Sequence, residues 1–198
     1  EVNGRLNDAS AKARSYNMPN DNIARVIKKA AGDQNTDNYE DIIYEGYGIG
    51  GVAVIVETLT DNRNRTAGDL RHYFDKFGGN LGTNGSVSWM FDDKGIIVIA
   101  KDGGIDEDTL MSDALEFGAD DFSSDGEYFE ISTSPDDFRS VRDALEQKGY
   151  KFETAEVEKI PQTNVTLTDE HDILMMEKLL ESLEDNDDVQ NVYHNWEE

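Results

Sequence analysis

Apolar residues along this chain switch repeatedly between a spacing of two and a spacing of three to four, and the switches mark out its elements. MPNDNIARVIKKAAG (18–32) places Ile23, Val26, Ile27 and Ala30 on one helical face. Pro19 suits the first helical position, Asp21 the first turn, Lys28 and Lys29 the last turn, and Gly32 the end. NDASAKARSYN (7–17) reads as the end of an earlier helix with Lys12 and Arg14 exposed, so a truncated or partly ordered chain is expected. DQNTDN (33–38) is polar and reads as a linker.

YEDIIYEGYG (39–48) and GVAVIVETL (51–59) read as two strands joined by a glycine-rich turn. The helix that follows puts Leu70, Tyr73, Phe74 and Phe77 on one face and stops at Gly78 and Gly79. GSVSWMF (85–91) alternates, with Val87, Trp89 and Phe91 on one side, which predicts a half-buried strand.

From residue 94 the order of elements is informative. KGIIVIAK (94–101) reads as a strand, DEDTLMSDALEFG (106–118) as a helix, and ADDFSS and GEYFEIST as strands around a Ser-Asp-Gly turn. SPDDFRSVRDALEQKG (134–149) reads as a helix with Ser134 as its cap and Pro135 at its first position. YKFETAEVEK (150–159) closes a β-α-β-β-α-β order, the ferredoxin-like pattern. QTNVTLT (162–168) is expected as a strand, DEHDILMMEKLLESLED (169–185) as a helix capped by Thr168, and DVQNVYHNW (188–196) as a strand.

Together these elements predict an α+β, multi-domain protein. Residues 1–38 form a helical N-terminal module, 39–93 and 160–198 a central α+β domain, and 94–159 a ferredoxin-like domain inserted into it. The insertion is inferred because 39–91 alone gives β-β-α-β, which 160–196 completes, and it predicts that the C-terminal strand pairs near the first ones.

Charge divides the chain unevenly. Its net charge is −25, yet residues 1–80 carry 10 of the 18 Lys/Arg and 12 of the 43 Asp/Glu, a net of −2. The remainder is −23 and reads as a solubilising surface. Any contact with nucleic acid is therefore expected from the first 80 residues. There are no cysteines, which fits a reducing compartment, and no apolar run approaches the roughly 20 residues of a membrane span. No signal peptide is visible, so a cytoplasmic protein without membrane contact is expected.

Most motifs that suggest chemistry have plainer readings. GYGIGG (46–51) is followed by a strand, whereas a dinucleotide fingerprint needs a helix there, so the glycines read as a hairpin turn. The carboxylate clusters at 102–108, 120–127 and 184–188 do not match the calcium-loop pattern. His72, His171 and His194 lie far apart and, without cysteines, predict no metal site. No serine sits in a nucleophile-elbow context. No enzyme activity and no cofactor are expected.

TDNRNRT (60–66) is different. It joins a strand to a helix, where free backbone N–H groups and the positive dipole end favour anions. Asn62, Arg63, Asn64, Arg65 and Thr66 could hold phosphate there, with Arg71 and Lys76 extending the strip and Asn80 and Thr83 along its other side. The alternative is that the arginines pair with acidic neighbours and Asn or Thr only caps the helix. Lys12, Arg14, Arg25, Lys28 and Lys29 are further candidate nucleic-acid contacts.

YEGYGIGGVAVIVETLTDNRNRT (44–66), GGNLGTNGSVSWMF (78–91), NMPNDNIARVIKKA (17–30) and DDVQNVYHN (187–195) together resemble the YebC/PmpR family, which includes the mitochondrial translational activator of cytochrome c oxidase subunit I. The resemblance spans essentially the whole chain and implies three domains, one of them a ferredoxin-like insertion. It also implies a strongly basic N-terminal stretch, which this sequence lacks. The implied function is a ribosome-associated translation factor that binds rRNA or tRNA and relieves stalling at proline-rich stretches. The alternative implied by the family is a DNA-binding transcriptional regulator. A monomer is expected.

Overall fold

The computed structural model describes residues 4–15, 18–32, 39–101 and 104–197, with backbone alone for 4, 5, 7, 8, 15 and 29–32. These residues fall into two compact units, one drawn from 1–34 and 93–158, the other from 35–92 and 159–198.

The second unit is built on a four-stranded sheet. Strands β1 (Glu40–Tyr47) and β2 (Ala53–Thr60) form an antiparallel hairpin whose turn contains Gly50 at φ +67° and Gly51 at φ +82°. Both glycines occupy the left-handed region that a side chain disfavours. Helix α3 (Arg63–Lys76) follows, then the short β3 (Asn80–Leu81), which lies antiparallel to β1. Helix α6 (Glu170–Glu184) leads into β9 (Val189–His194), which pairs antiparallel with β2 and completes the order β3-β1-β2-β9.

The apolar run VAVIV in β2 is continuous because both faces of that strand are covered. Val54 and Val56 pack with Leu70 and Phe74 of α3 and Met176, Leu179 and Leu183 of α6. Ala53 and Ile55 point the other way, against Val87 and Phe91. A residue fully buried in this way contributes roughly 1.5–3 kcal/mol.

The first unit holds helices α1 (Gly4–Ser15) and α2 (Asn20–Gly32) and a second four-stranded sheet. Its elements are β4 (Phe91–Ala100), α4 (Glu107–Phe117), β5 (Asp121–Asp125), β6 (Tyr128–Thr133), α5 (Phe138–Lys148) and β7 (Thr154–Pro161), in the strand order β5-β6-β4-β7. Ile97, Ile99, Phe129 and Ile131 line one face of the sheet, and Leu110, Val141 and Leu145 of the helices cover them. The alternation of β6 (Phe129 and Ile131 buried, Tyr128 and Glu130 exposed) is what a sheet covered on one face requires.

Several local expectations are corrected. Residues 85–90 are not a strand: they form turns ending in a 3-10 turn at Ser88–Met90, and Trp89 faces water. The backbone N–H groups that a strand would use are taken by the Glu45 carboxylate. Helix α5 begins at Phe138 rather than at Pro135, because Phe138 N–H bonds to the Ser134 carbonyl and closes a turn first. Asp169, not Thr168, caps α6, accepting the His171 N–H at 2.8 Å; its charge also suits the helix dipole. Pro19 precedes α2, and Val26 is exposed. Within 162–168 only β8 (Val165–Thr166) is a strand, parallel to β10 (Trp196–Glu197). The expected last strand of the 94–159 segment starts at Thr154 rather than Tyr150.

Candidate nucleic-acid interface

Helix α3 begins where β2 ends because four side chains fix the turn between them. Asn62 caps the helix, its Oδ1 accepting the Arg65 N–H at 3.2 Å. The Thr60 hydroxyl accepts the Asn62 N–H at 2.9 Å. Thr66, fully buried, places its hydroxyl 2.7 Å from Asp188 Oδ2 and 2.8 Å from the Thr60 hydroxyl. Burial pushes the Asp188 carboxyl up, but hydrogen bonds from Thr66, Arg65 and Thr60 outweigh it and hold the group below its ordinary value.

Arg65 belongs to this bracket. Its Nη2 lies 2.8 and 2.9 Å from the two Asp188 oxygens and 2.9 Å from Asp61 Oδ1. The guanidinium therefore closes the junction and is held by two carboxylates. Arg63 is exposed and, among the described residues, makes no ion pair; only its carbonyl is engaged, accepting from the Tyr44 hydroxyl at 3.4 Å. Asn64 is exposed beside it.

Further along α3, Arg71 is exposed and likewise has no ion pair among the described residues. Asn64, Gly68 and Arg71 follow at spacings of four and three and share the outward face. Nothing lies within 4 Å of where a Gly68 Cβ would sit. Lys76 rests over the Phe77 ring at 4.9 Å, Asn80 pairs with Tyr47 at the sheet edge, and Thr83 is exposed in the loop beyond. The structure thus gathers Asn62 to Lys76 along one helix.

The remaining predicted contacts lie in the other unit. Lys12 Nζ is 2.5 Å from Glu156 Oε2, beside Glu158, whose carboxyl is pushed up by burial and by Glu156 and Glu130. Arg14 Nε bonds to Asn20 Oδ1 at 3.4 Å and Arg25 Nη2 to Asn22 Oδ1 at 2.8 Å. Lys28 is exposed, and the side chain of Lys29 lies outside the described residues. An open depression of about 840 Å³ beside Lys12 and Arg14 is lined also by Arg142, Glu146 and Glu156.

Glu45 was not singled out by its sequence context, yet it organises the loop from Gly82 to Met90. Only 5% exposed, its carboxylate accepts N–H bonds from Gly85 at 2.7 Å and from Val87 and Ser88 at 2.8 Å. Burial pushes this carboxyl up, and the three backbone donors more than reverse the effect. The one available signal was an acid two residues from Ile43 and from Tyr47, on the same side of a strand whose burial does not alternate.

Among the described residues, one group could in principle gather a metal ion: Asp169, His171 and Asp172, at the start of α6. Asp169 is the helix cap there and the group is largely exposed. Also among the described residues, no helix is long and apolar enough to cross a membrane.

Residues 39–196 match the family model described as the TACO1/YebC second and third domain. A protein of Acetivibrio thermocellus named "Probable transcriptional regulatory protein" is 63% identical over 196 residues, covering 99% of this chain and 81% of that one. A protein of Clostridioides difficile with a name of the same form is 58% identical, covering 100% and 82%. Among solved structures, a conserved hypothetical protein from Aquifex aeolicus, Aq1575, superposes with a TM-score of 0.83 at 43% identity, over 98% of this chain and 80% of its own.

Proposed function

The chain belongs to the TACO1/YebC family, and on that premise we propose that it is a regulator of gene expression that binds nucleic acid and catalyses no reaction. One observation carries this reading. Within 35–92 and 159–198 all three arginines lie on α3, and two of them, Arg63 and Arg71, are exposed without an ion pair among the described residues. In a chain of net charge −25, unpaired guanidinium forks suit an external anion such as a phosphate.

The names of the relatives support regulation of transcription, and in that reading the partner is DNA. A second reading, single-stranded RNA at the ribosome and relief of stalling, is favoured by Trp89, which stands 68% exposed where an unpaired base could reach it. In either reading the protein acts as a monomer in the cytoplasm, without metal or cofactor.

The test is a salt titration with Arg63→Ala and Arg71→Ala combined. Binding of a duplex DNA and of a single-stranded RNA is followed by fluorescence anisotropy. Each lost phosphate contact flattens the slope of log K against log salt by roughly 0.9 for duplex DNA or 0.7 for a single strand. The double variant is expected to flatten it by about twice that amount on whichever nucleic acid is the partner. Wild-type slopes and affinities on both would remove α3 as the interface.

A further inference from the structure

Trp89 has the highest exposure of any large apolar side chain among the described residues, 68%. An indole left in water forgoes the burial that usually justifies so large a side chain. Yet the loop that carries it is tightly held. Glu45 binds the N–H groups of Gly85, Val87 and Ser88 from below. Val87 is fully buried between Ala53, Ile55 and Phe91. The Met90 N–H bonds to the Val87 carbonyl at 2.9 Å, and the Met90 carbonyl accepts from the Gln162 N–H at 2.9 Å. The ring is thus presented on a fixed mount, and a preorganised contact loses little freedom on binding.

The indole's own polar edge is already satisfied, since Nε1 donates to the Ser86 carbonyl at 3.1 Å. What the side chain offers is its flat π face. The loop's own residues are uncharged: no Asp, Glu, Lys or Arg occurs from Gly78 to Phe91, and the Glu45 carboxylate beneath it accepts from three of its N–H groups. Thr83, Asn84 and Gly85 are exposed in the same loop, and nothing lies within 4 Å of where a Gly85 Cβ would be. The first carboxylate beyond the loop, Asp92, accepts from Gln162 Nε2 at 3.0 Å.

We infer that Trp89 is a stacking platform for an unpaired base of single-stranded RNA, an inference that rests on the RNA reading above. Three features select that partner. One exposed ring on a loop whose other exposed residues, Gly82 to Gly85 and Ser88, are small or polar does not make the apolar patch on which a folded protein docks. A duplex keeps its base faces stacked inside and offers the ring only the face of the last pair at each end. An acidic chain repels a polyanion over most of its surface, and the loop that carries the ring adds no charge of its own. Asn84 and Thr83 supply amide and hydroxyl groups at the edge of that base.

The chain has two tryptophans, and the second, Trp196, is only 9% exposed, so fluorescence separates them. The probe is a single-stranded RNA dodecamer, with a blunt duplex of the same sequence alongside. Stacking is expected to quench the emission of Trp89 saturably with the single strand and leave it unchanged with the duplex. Trp196→Phe should deepen the fractional quench; the wild-type protein gives the same answer with smaller amplitude should that variant fold poorly. Trp89→Ala is expected to weaken RNA binding about 5- to 100-fold without changing its salt slope, and Trp89→Phe to restore most of the affinity. RNA binding that is equal in Trp89→Ala, with no quench in the wild type, overturns the platform and leaves the RNA reading intact. Equal quenching by the duplex also overturns it. No binding of the single strand by the wild-type protein at low salt overturns the RNA reading and the platform with it.

Discussion

The Thr66 hydroxyl donates to Asp188 Oδ2 across 2.7 Å, joining two residues 122 positions apart. This contact ties the first turn of α3 to the turn that opens β9, and so decides which of the two arginines beside it is available. Arg65 is drawn onto the same carboxylate, while Arg63, two residues earlier, points to solvent.

Asp188→Ala should deprive two buried threonine hydroxyls of their carboxylate and leave the Arg65 guanidinium with Asp61 alone. The expected loss is about 2–3 kcal/mol, or roughly 4–12 °C in melting temperature for a chain of this size. Arg65→Ala should cost clearly less, because its guanidinium is half in water and such pairs are weak. Thermal melts of the two variants separate the contributions. A larger loss from Arg65→Ala would show that the ion pair, not the buried hydroxyls, holds the junction.

Glu45→Gln replaces an acceptor-only carboxylate by an amide that presents a donor to backbone N–H groups. The expected cost is about 2–3 kcal/mol, concentrated in the Gly82–Met90 loop. Hydrogen exchange should show the amides of Gly85, Val87 and Ser88 losing protection while β1 and β2 keep theirs. Uniform loss of protection across the sheet would assign Glu45 a global role instead.

Stability should fall in acid. The carboxyls of Asp188 and Glu45 have folded pKa values below their ordinary ones, so the unfolded chain binds more protons as the pH drops. Their contribution is complete above roughly pH 5 and is lost as the pH falls through the folded values. Glu158 has the opposite sign: burial, with Glu156 and Glu130, raises its carboxyl, so its charge opposes folding at neutral pH and protonation relieves it. Melting temperature against pH should therefore drop more gently below pH 5 in Asp188→Asn and Glu45→Gln. Glu158→Gln should stabilise at pH 7 and gain nothing at pH 3.

Two glycines near α3 should respond in opposite directions. A Cβ at Gly68 meets nothing, so Gly68→Ala should stabilise the helix by about 0.5–1 kcal/mol. A Cβ at Gly79 would lie 2.4 Å from the Tyr47 carbonyl oxygen, and Gly79→Ala should cost about 1–3 kcal/mol. If α3 is the nucleic-acid face, Gly68→Ala should also weaken binding, which separates affinity from stability. Anisotropy titrations beside melts would show it, and unchanged affinity would place the ligand away from Gly68.

Much of the architecture was legible because burial repeats with the period of each element. Leu70 and Phe74 are spaced for a helix, and Phe129 and Ile131 for a strand, and each packs as its spacing requires. The errors cluster where a distant group captured the backbone. Val87, Trp89 and Phe91 alternate as a strand would, but the Glu45 carboxylate took the N–H groups that a ladder needs. At the start of α6 the choice between the adjacent Thr168 and Asp169 rested on which side-chain oxygen met a free N–H, whereas Ser134 does accept an N–H, from Asp137 at 3.1 Å, ahead of α5.

By itself the sequence determined the order of the described helices and of the longer strands and the concentration of arginines on one helix, because periodicity and composition are properties of the chain alone. Only the tertiary structure decided that Asp188 closes on Arg65 while Arg63 and Arg71 have no ion pair among the described residues, and that Glu45 holds the loop on which Trp89 stands exposed. Such contacts join residues tens to more than a hundred positions apart, and no local spacing records which carboxylate will meet which donor once the two sheets have formed.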